Sequence, residues 1–386
     1  MTLITANDDL AAFCERVAGA EFITVDTEFI RDKTYWPRLC LVQIAGPDEA
    51  VAIDAQAEGI DLRPVFALMA KPDLLKVFHA ARQDFEIFYQ LAGRIPAPVF
   101  DTQVSAMVCG FGDAVSYENL VAKLARKHID KTMRFTDWER RPLSPKQLDY
   151  ALADVTHLRV IYEKLHARIE RTGRSAWVAE EMAALTDPAL YRVDARESWR
   201  RLKVRTAKPR FLAILRELAR WREEEAQRRD VPRNRVLRDD ALLDVAAHAP
   251  DTQPELASLR SLRGGQASGA MGESILAAIA RGKAVPEAEC PLPPRSRDGM
   301  MRTGPAADLL KVLLKMKSDA HDVAQKLIAN SEDIEAIAAD DNADVPAMHG
   351  WRRELFGEDA LRLKHGRLAL TADGSVVRVV PLDGAS

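Results

Sequence analysis

The stretch FITVDTEFIR, residues 22–31, decides the fold, because it reads as a buried strand that carries two acids, Asp26 and Glu28. Its β-branched and aromatic residues predict a strand. An unpaired buried charge costs several kcal/mol, so two acids in such a run need a reason. Residues two apart on a strand share a face, so both carboxylates point the same way and repel. A divalent cation would quench that repulsion. For an isolated D-x-E the plainer reading, a strand end with solvated acids, is favoured.

Outward from this strand, the first half alternates strand-like and helix-like segments. Strands are expected at 21–29, 39–45, 50–54, 74–80 and 98–102, and helices at 8–18, 61–70, 82–92, 102–110, 117–127 and 145–170. LCLVQIA and AVAID flank the turn GPDE, which predicts a hairpin within a mixed sheet. The result is an α/β domain at 1–170. Beyond about 175 helical periodicity takes over. FLAILRELARWREEEAQRR (211–229) places Leu212, Leu215, Leu218, Ala219 and Arg222 on one face. VPEAECPLPPRSRDG (285–299) reads as a linker. Near the end, Asp373-Gly374 separates two apolar runs that suit a small hairpin.

Two further acids give the first pair a context. Asp84 falls in the first turns of a helix opened by HAARQDF. In LSPKQLDYALADVTHL, Ser144 is the expected N-cap and Pro145 the first helical residue. Tyr150 and Asp154 then stand four apart on one helical face. Alone, each would be read as packing or surface.

Taken in order, DTE, the helical aspartate after HAARQDF, and YALAD resemble the DEDD exonuclease superfamily, and the tyrosine four before the last acid marks its DEDDy branch. YWPRLCLVQIA and DWERRPLSPKQLDYALADVTHL are similar to the ribonuclease D family in particular. The resemblance implies a ribonuclease H-like fold and catalytic residues Asp26, Glu28, Asp84, Tyr150 and Asp154. It also implies two divalent metal ions about 3.5–4 Å apart, Mg²⁺ with Mn²⁺ as a substitute. By that resemblance Asp26, Glu28 and Asp154 hold the first ion, Asp26 bridges to a second that Asp84 holds through water, and Tyr150 orients the attacking water. Weaker candidates for substrate contact are Gln43, Trp36, Arg141 and His79. Packing suits Trp36 as well, a structural hydrogen bond suits His79 better, and a salt bridge suits Arg141 equally. Asp101 is expected to cap a helix.

Residues 196–238 hold fifteen Lys and Arg against six Asp and Glu, although the whole chain carries a formal charge of -3. A positive zone of this kind neutralises phosphates. LRELARWREEEAQRRDVPRNRVLRDDALLDVA is similar to the HRDC domain. The expected organisation is therefore an exonuclease domain at 1–170 and a helical connector at 171–207. HRDC domain 1 follows at 208–285, a linker at 286–302, a degenerate HRDC-like domain 2 at 303–372, and a tail at 373–386.

Four cysteines without C-x-x-C spacing argue against a zinc knuckle or redox pair. No signal-like start or long apolar run is seen, so a cytoplasmic protein is expected. The expected activity is 3′-5′ exoribonucleolytic trimming of tRNA precursors and small RNAs, releasing nucleoside 5′-monophosphates, by a monomer whose partner is RNA. A DNA exonuclease and an inert RNA-binding scaffold are the alternatives; the presence of all four acids argues against the scaffold.

Overall fold

The computed structural model describes residues 2–134, 136–204, 208–263, 265–292, 304–374 and 376–382. The chain forms two compact units. One comprises the described residues of Met1–Phe29, Leu39–Tyr191 and Met300–Ser386, the other those of Ile30–Arg38 and Arg192–Gly299.

The first unit is built on a six-stranded mixed sheet. Its strands are β1 (Thr2–Ile4), β2 (Phe22–Ile30), β3 (Arg38–Ala45), β4 (Ala50–Asp54), β5 (Leu75–Phe78) and β6 (Val99–Asp101), in the order β1-β4-β3-β2-β5-β6. The expected hairpin is present, with β3 antiparallel to β4 and Val42 opposite Ile53. β2, β5 and β6 run parallel. The short β1, unassigned from sequence, pairs with β4 in parallel.

Helices α1 (Asn7–Val17), α2 (Arg63–Met69), α3 (Arg82–Ala92), α4 (Thr102–Val108), α5 (Tyr117–Leu120), α6 (Pro145–Thr172) and α7 (Ser175–Leu185) complete this layer. Two of them, α3 and α6, carry the site's helical acids. α6 starts with a capping box between Ser144 and Gln147, has Pro145 in its first turn, and stops at left-handed Gly173. α3 is anchored by Phe85 and Phe88, both buried, with Phe85 edge-on to Phe78 at 5.1 Å. Each such buried side chain contributes about 1.5–3 kcal/mol. The segment expected as helix at 117–127 closes instead with a π turn at Val121–Ala125 and a left-handed Arg126. All four cysteines are buried and free.

In the second unit, α8 (Pro209–Arg229) buries Leu212, Leu215, Leu218, Ala219 and Arg222, the face read from periodicity. α9 (Arg233–Val236), α10 (Asp239–His248), α11 (Gln253–Ala257) and α12 (Gly269–Ala284) pack into one core with it. Tyr35, from the loop Ile30–Arg38, belongs to the same core. Most of the expected linker lies outside the described residues, as do 205–207 of the connector and 383–386 of the tail.

The stretch 307–329 divides into α13 (Gly304–His321) and α14 (Gln325–Ile328), because Asp322 adopts a left-handed φ of 52°. α15 (Ser331–Ala339) follows. This C-terminal segment is part of the first unit. Trp351 stacks on Trp177 of α7 at 4.5 Å. Buried Glu181 accepts hydrogen bonds from Trp351 Nε1 (3.1 Å) and Arg352 (2.7 Å). The small hairpin expected at Asp373-Gly374 is present: β7 (Leu368–Asp373) pairs antiparallel with β8 (Val376–Pro381), since the apolar runs satisfy each other's backbone. No helix among the described residues is long and apolar enough to cross a membrane.

Candidate active site

The site forms where the parallel strands end. β2 pairs with β5 only from Phe22 to Thr24, so Asp26 and Glu28 lie beyond the end of that ladder. The carboxyl ends of β5 and β6 lead into the segments carrying His79 and Thr102. Crevices beyond the carboxyl ends of parallel strands are the usual ligand sites of such sheets.

Period-two geometry then sorts the contacts of β2. Thr24 shares the face of Asp26 and donates to the Val155 carbonyl of α6 at 2.7 Å, which brings Asp154 to the strand. Tyr117 grips the same turn, donating to the carbonyl of Asp154 at 2.6 Å. Thr27, on the alternate face, donates to the carboxylate of Asp84. The start of α3 is held by Asp101, which accepts from the N–H of left-handed Ala80 (3.2 Å) and of Ala81 (2.8 Å). The same carboxylate caps α4 through Gln103 N at 2.7 Å, the role expected for it.

Carboxylate oxygens of Asp26, Glu28 and Asp154 all lie within 4.8 Å of one another. Asp84 stands apart from that trio but is close enough to feel Asp26. Burial and the facing Asp154 push Asp26 well above the ordinary carboxylate range. Burial and Asp26 do the same to Asp84. Glu28 is pushed up to about 10 by burial and then by the other acids, against the pull of Arg134. Asp154 rises to about 7 by burial, held back by the hydrogen bond from Tyr150 and by Arg134. Burial and the neighbouring acids keep the Tyr150 and Tyr117 hydroxyls protonated far above their normal range.

The donors are all carboxylate oxygens, clustered, half-buried and short of compensating cations. That is the chemistry of a hard divalent ion such as Mg²⁺ or Mn²⁺ and suits neither a thiolate nor an imidazole metal. The residues present therefore fit the metal the sequence implies.

A cavity of about 380 Å³ opens at this point, lined by Asp26, His79, Gln103, Ser116, Tyr117, Arg134, Tyr150 and Asp154 among others. His79 is thus at the site, its Nδ1 3.0 Å from Thr102 Oγ1, and burial lowers its pKa so that the ring is neutral. Three other candidates are not among the lining residues. Arg141 is committed to Asp54, which is 4% exposed, through two 2.6 Å hydrogen bonds. Gln43 is wholly buried because β3 is covered on both faces, and neither of its amide atoms has a partner among the described residues. Trp36 belongs to the other unit, edge-on to Tyr35 with its backbone N–H donating to Asp230 at 3.0 Å. Sequence reasoning misses Thr24, Thr27, Tyr117 and Arg134. The position of Arg134 in MRFTDWERR (133–141), close before α6, was the only available hint.

Comparison with known proteins agrees with this geometry. Residues 1–170 match the family described as 3′-5′ exonuclease, and residues 211–279 match the HRDC domain. A ribonuclease D of Nitrobacter hamburgensis is 54% identical, covering 98% of this chain and 99% of the relative. One from Granulibacter bethesdensis is 52% identical, covering 98% and 96%. The crystal structure of Escherichia coli RNase D, an exoribonuclease involved in structured RNA processing, superposes with a TM-score of 0.80 at 30% identity. That alignment covers 95% of this chain and 98% of the other.

Proposed function

Since this chain belongs to the ribonuclease D family and is a 3′-5′ exoribonuclease, we propose that it trims the 3′ ends of tRNA precursors and other small structured RNAs. The products are nucleoside 5′-monophosphates, and the reaction uses two divalent ions. The observation that carries this reading is the convergence of three carboxylates from β2 and α6 within 4.8 Å, all three pushed above the ordinary carboxylate range.

Asp26, Glu28 and Asp154 would hold one ion, and Asp84 with Asp26 a second. When bound, such ions lower the pKa of water and stabilise charge on the phosphodiester oxygens. The chain's own groups do the rest. Tyr150, protonated at any physiological pH, positions a water by hydrogen bonding. Arg134 faces the acids and supplies positive charge beside the scissile phosphate. Neutral His79 and Gln103 line the part of the cavity open to the terminal nucleoside.

The test is release of mononucleotides from 5′-end-labelled precursor tRNA with Mg²⁺ and with chelator, run beside matched single strands of RNA and DNA. Stepwise shortening from the 3′ end, lost in chelator and faster on RNA, is expected. Equal rates on both sugars would favour a DNA exonuclease. The 2′-OH is the group by which a site separates the two.

A further inference from the structure

One wall of the catalytic cavity carries none of the four acids. Gln103 near the start of α4, Ala114 and Ser116 in the loop that follows it, and Tyr117 at the head of α5 form this wall. Within the same unit, the turn between α13 and α14 fastens that loop from the side away from the acids. The Ala324 N–H donates to the Met107 carbonyl at 2.9 Å, and the Lys326 N–H donates to the Asp113 carboxylate at 3.1 Å. Between these two ties Gly110 and Asp322 press together, both left-handed, at φ 76° and 52°. A Cβ on Gly110 would fall 2.6 Å from the Asp322 carbonyl oxygen and closer still to its carboxylate, so only glycine allows the approach. Two arginines secure the same contact. Arg174 donates to the carbonyls of Val108 (2.7 Å) and Asp322 (3.1 Å). Arg168 pairs with the Asp322 carboxylate and lies over the Phe111 ring at 5.1 Å.

We infer that residues 322–326 set this wall for the terminal nucleotide, which makes Asp113 and Gly110 positioning residues of the reaction. The fastened loop contains Gly110 and Gly112, both at positive φ, and Asp113 and Ala114 are exposed. Left to itself such a stretch samples many shapes. A site that holds the fitting shape for a fraction of the time binds with an affinity reduced by that fraction. The fastening is passed inward, because Gln103 Nε2, on a cavity-lining side chain, donates to the Val115 carbonyl at 3.2 Å. The acids are held separately, through Thr24, Thr27 and Asp101. Loosening the wall therefore acts on binding of the terminal nucleotide and not on cleavage of the bond. This assignment rests on the exoribonuclease reading given above.

The experiment uses the full chain with Asp113→Ala, Asp113→Asn and, separately, Gly110→Ala. Asp113 is exposed, and thermal unfolding reports whether each variant folds. The readouts are kcat and KM on a short single-stranded RNA with Mg²⁺, and the Kd of the same RNA in an Asp26→Ala background. Asp113→Ala and Gly110→Ala are each expected to raise KM and Kd at least about threefold, with kcat within about twofold of the wild-type value. Asp113→Asn restores both constants, because its amide oxygen still accepts from the Lys326 N–H. Unchanged KM and Kd in Asp113→Ala overturn the inference. So does a lower kcat and unfolding midpoint with KM unmoved, or a failure of asparagine to rescue, since either marks a tie that serves stability alone. The Kd is read without turnover, so absence of nucleotide release by the wild-type chain would count against the exoribonuclease reading and not against this one.

Discussion

Two sets of buried carboxylates, one in each unit, solve the same electrostatic problem in opposite ways. In the helical unit Glu223 is 1% exposed. Burial works against its charge, yet hydrogen bonds from Arg233 and Tyr35 outweigh that and hold its pKa below the ordinary value. In the nuclease unit Asp26, Glu28, Asp84 and Asp154 have far less cationic compensation, and burial with mutual repulsion drives all four upward. A matched buried acid is a structural group. Unmatched acids drawn together persist only if something outside the polypeptide completes them, and that is why perturbed groups mark functional sites.

The largest test of this contrast is Asp26→Asn. It is expected to lower nucleotide release at least about 10³-fold, the order of losing an electrostatic centre in a reaction site. In chelator the same change removes a repelling charge, so the metal-free protein should gain about 0.5–2 kcal/mol, read as a higher unfolding midpoint. Loss of activity with loss of stability would place Asp26 among the matched, structural acids.

Glu223→Gln reverses the pattern. It leaves Arg233 without its charge partner and Tyr35 with a neutral amide oxygen in place of a carboxylate acceptor. Breaking a fully buried pair costs 3–5 kcal/mol, but Arg233 is 32% exposed, so about 2–3 kcal/mol is expected after solvent screening. Denaturant unfolding followed by tryptophan fluorescence, with Trp199 and Trp221 in that core, measures it. A change below about 0.5 kcal/mol would dissolve the distinction between the two acid sets.

These two acid sets differ also in how far the sequence reveals them. Asp26 and Glu28 are legible because strand periodicity alone puts them on one face. Asp84 and Asp154 become legible through motif order, each on a helix whose cap or apolar anchor is written locally. The hydroxyls that position them are not. Thr24 reaches Val155 across 131 residues, Tyr117 reaches Asp154 across 37, and Thr27 reaches Asp84 across 57. A threonine or tyrosine that donates to a distant carbonyl or acid leaves no periodic trace. The matched set is hidden for the same reason: Tyr35 meets Glu223 across 188 residues. Trp36 misleads because its loop directly follows the catalytic strand yet packs in the helical unit. β1, at three residues, is too short for any pattern to register.

The smallest expected effect is a pH dependence that only the unmatched set should show. In the unfolded chain these carboxylates titrate near 4, while in the metal-free fold Asp154 titrates at about 7 and Glu28 at about 10. The folded state therefore binds more protons, and stability falls as pH rises. Their contribution is fully present below the unfolded value and is lost progressively as pH climbs towards the folded ones. A divalent ion must displace those protons, so its apparent affinity rises with pH, about tenfold per unit for each proton released. Asp154 gives up a proton only below about pH 7, so the slope should lessen near 7, while Glu28, still protonated there, keeps it above zero. Unfolding midpoints in chelator and in Mg²⁺ should thus diverge between pH 6 and pH 8, with most of the divergence removed in Asp154→Asn. Glu223, whose shift has the opposite sign, keeps its charge throughout that window, so Glu223→Gln should leave the divergence intact. A gap that is flat with pH would mean that the acids of the nuclease unit are already ionised, and hence already paired, before any metal arrives.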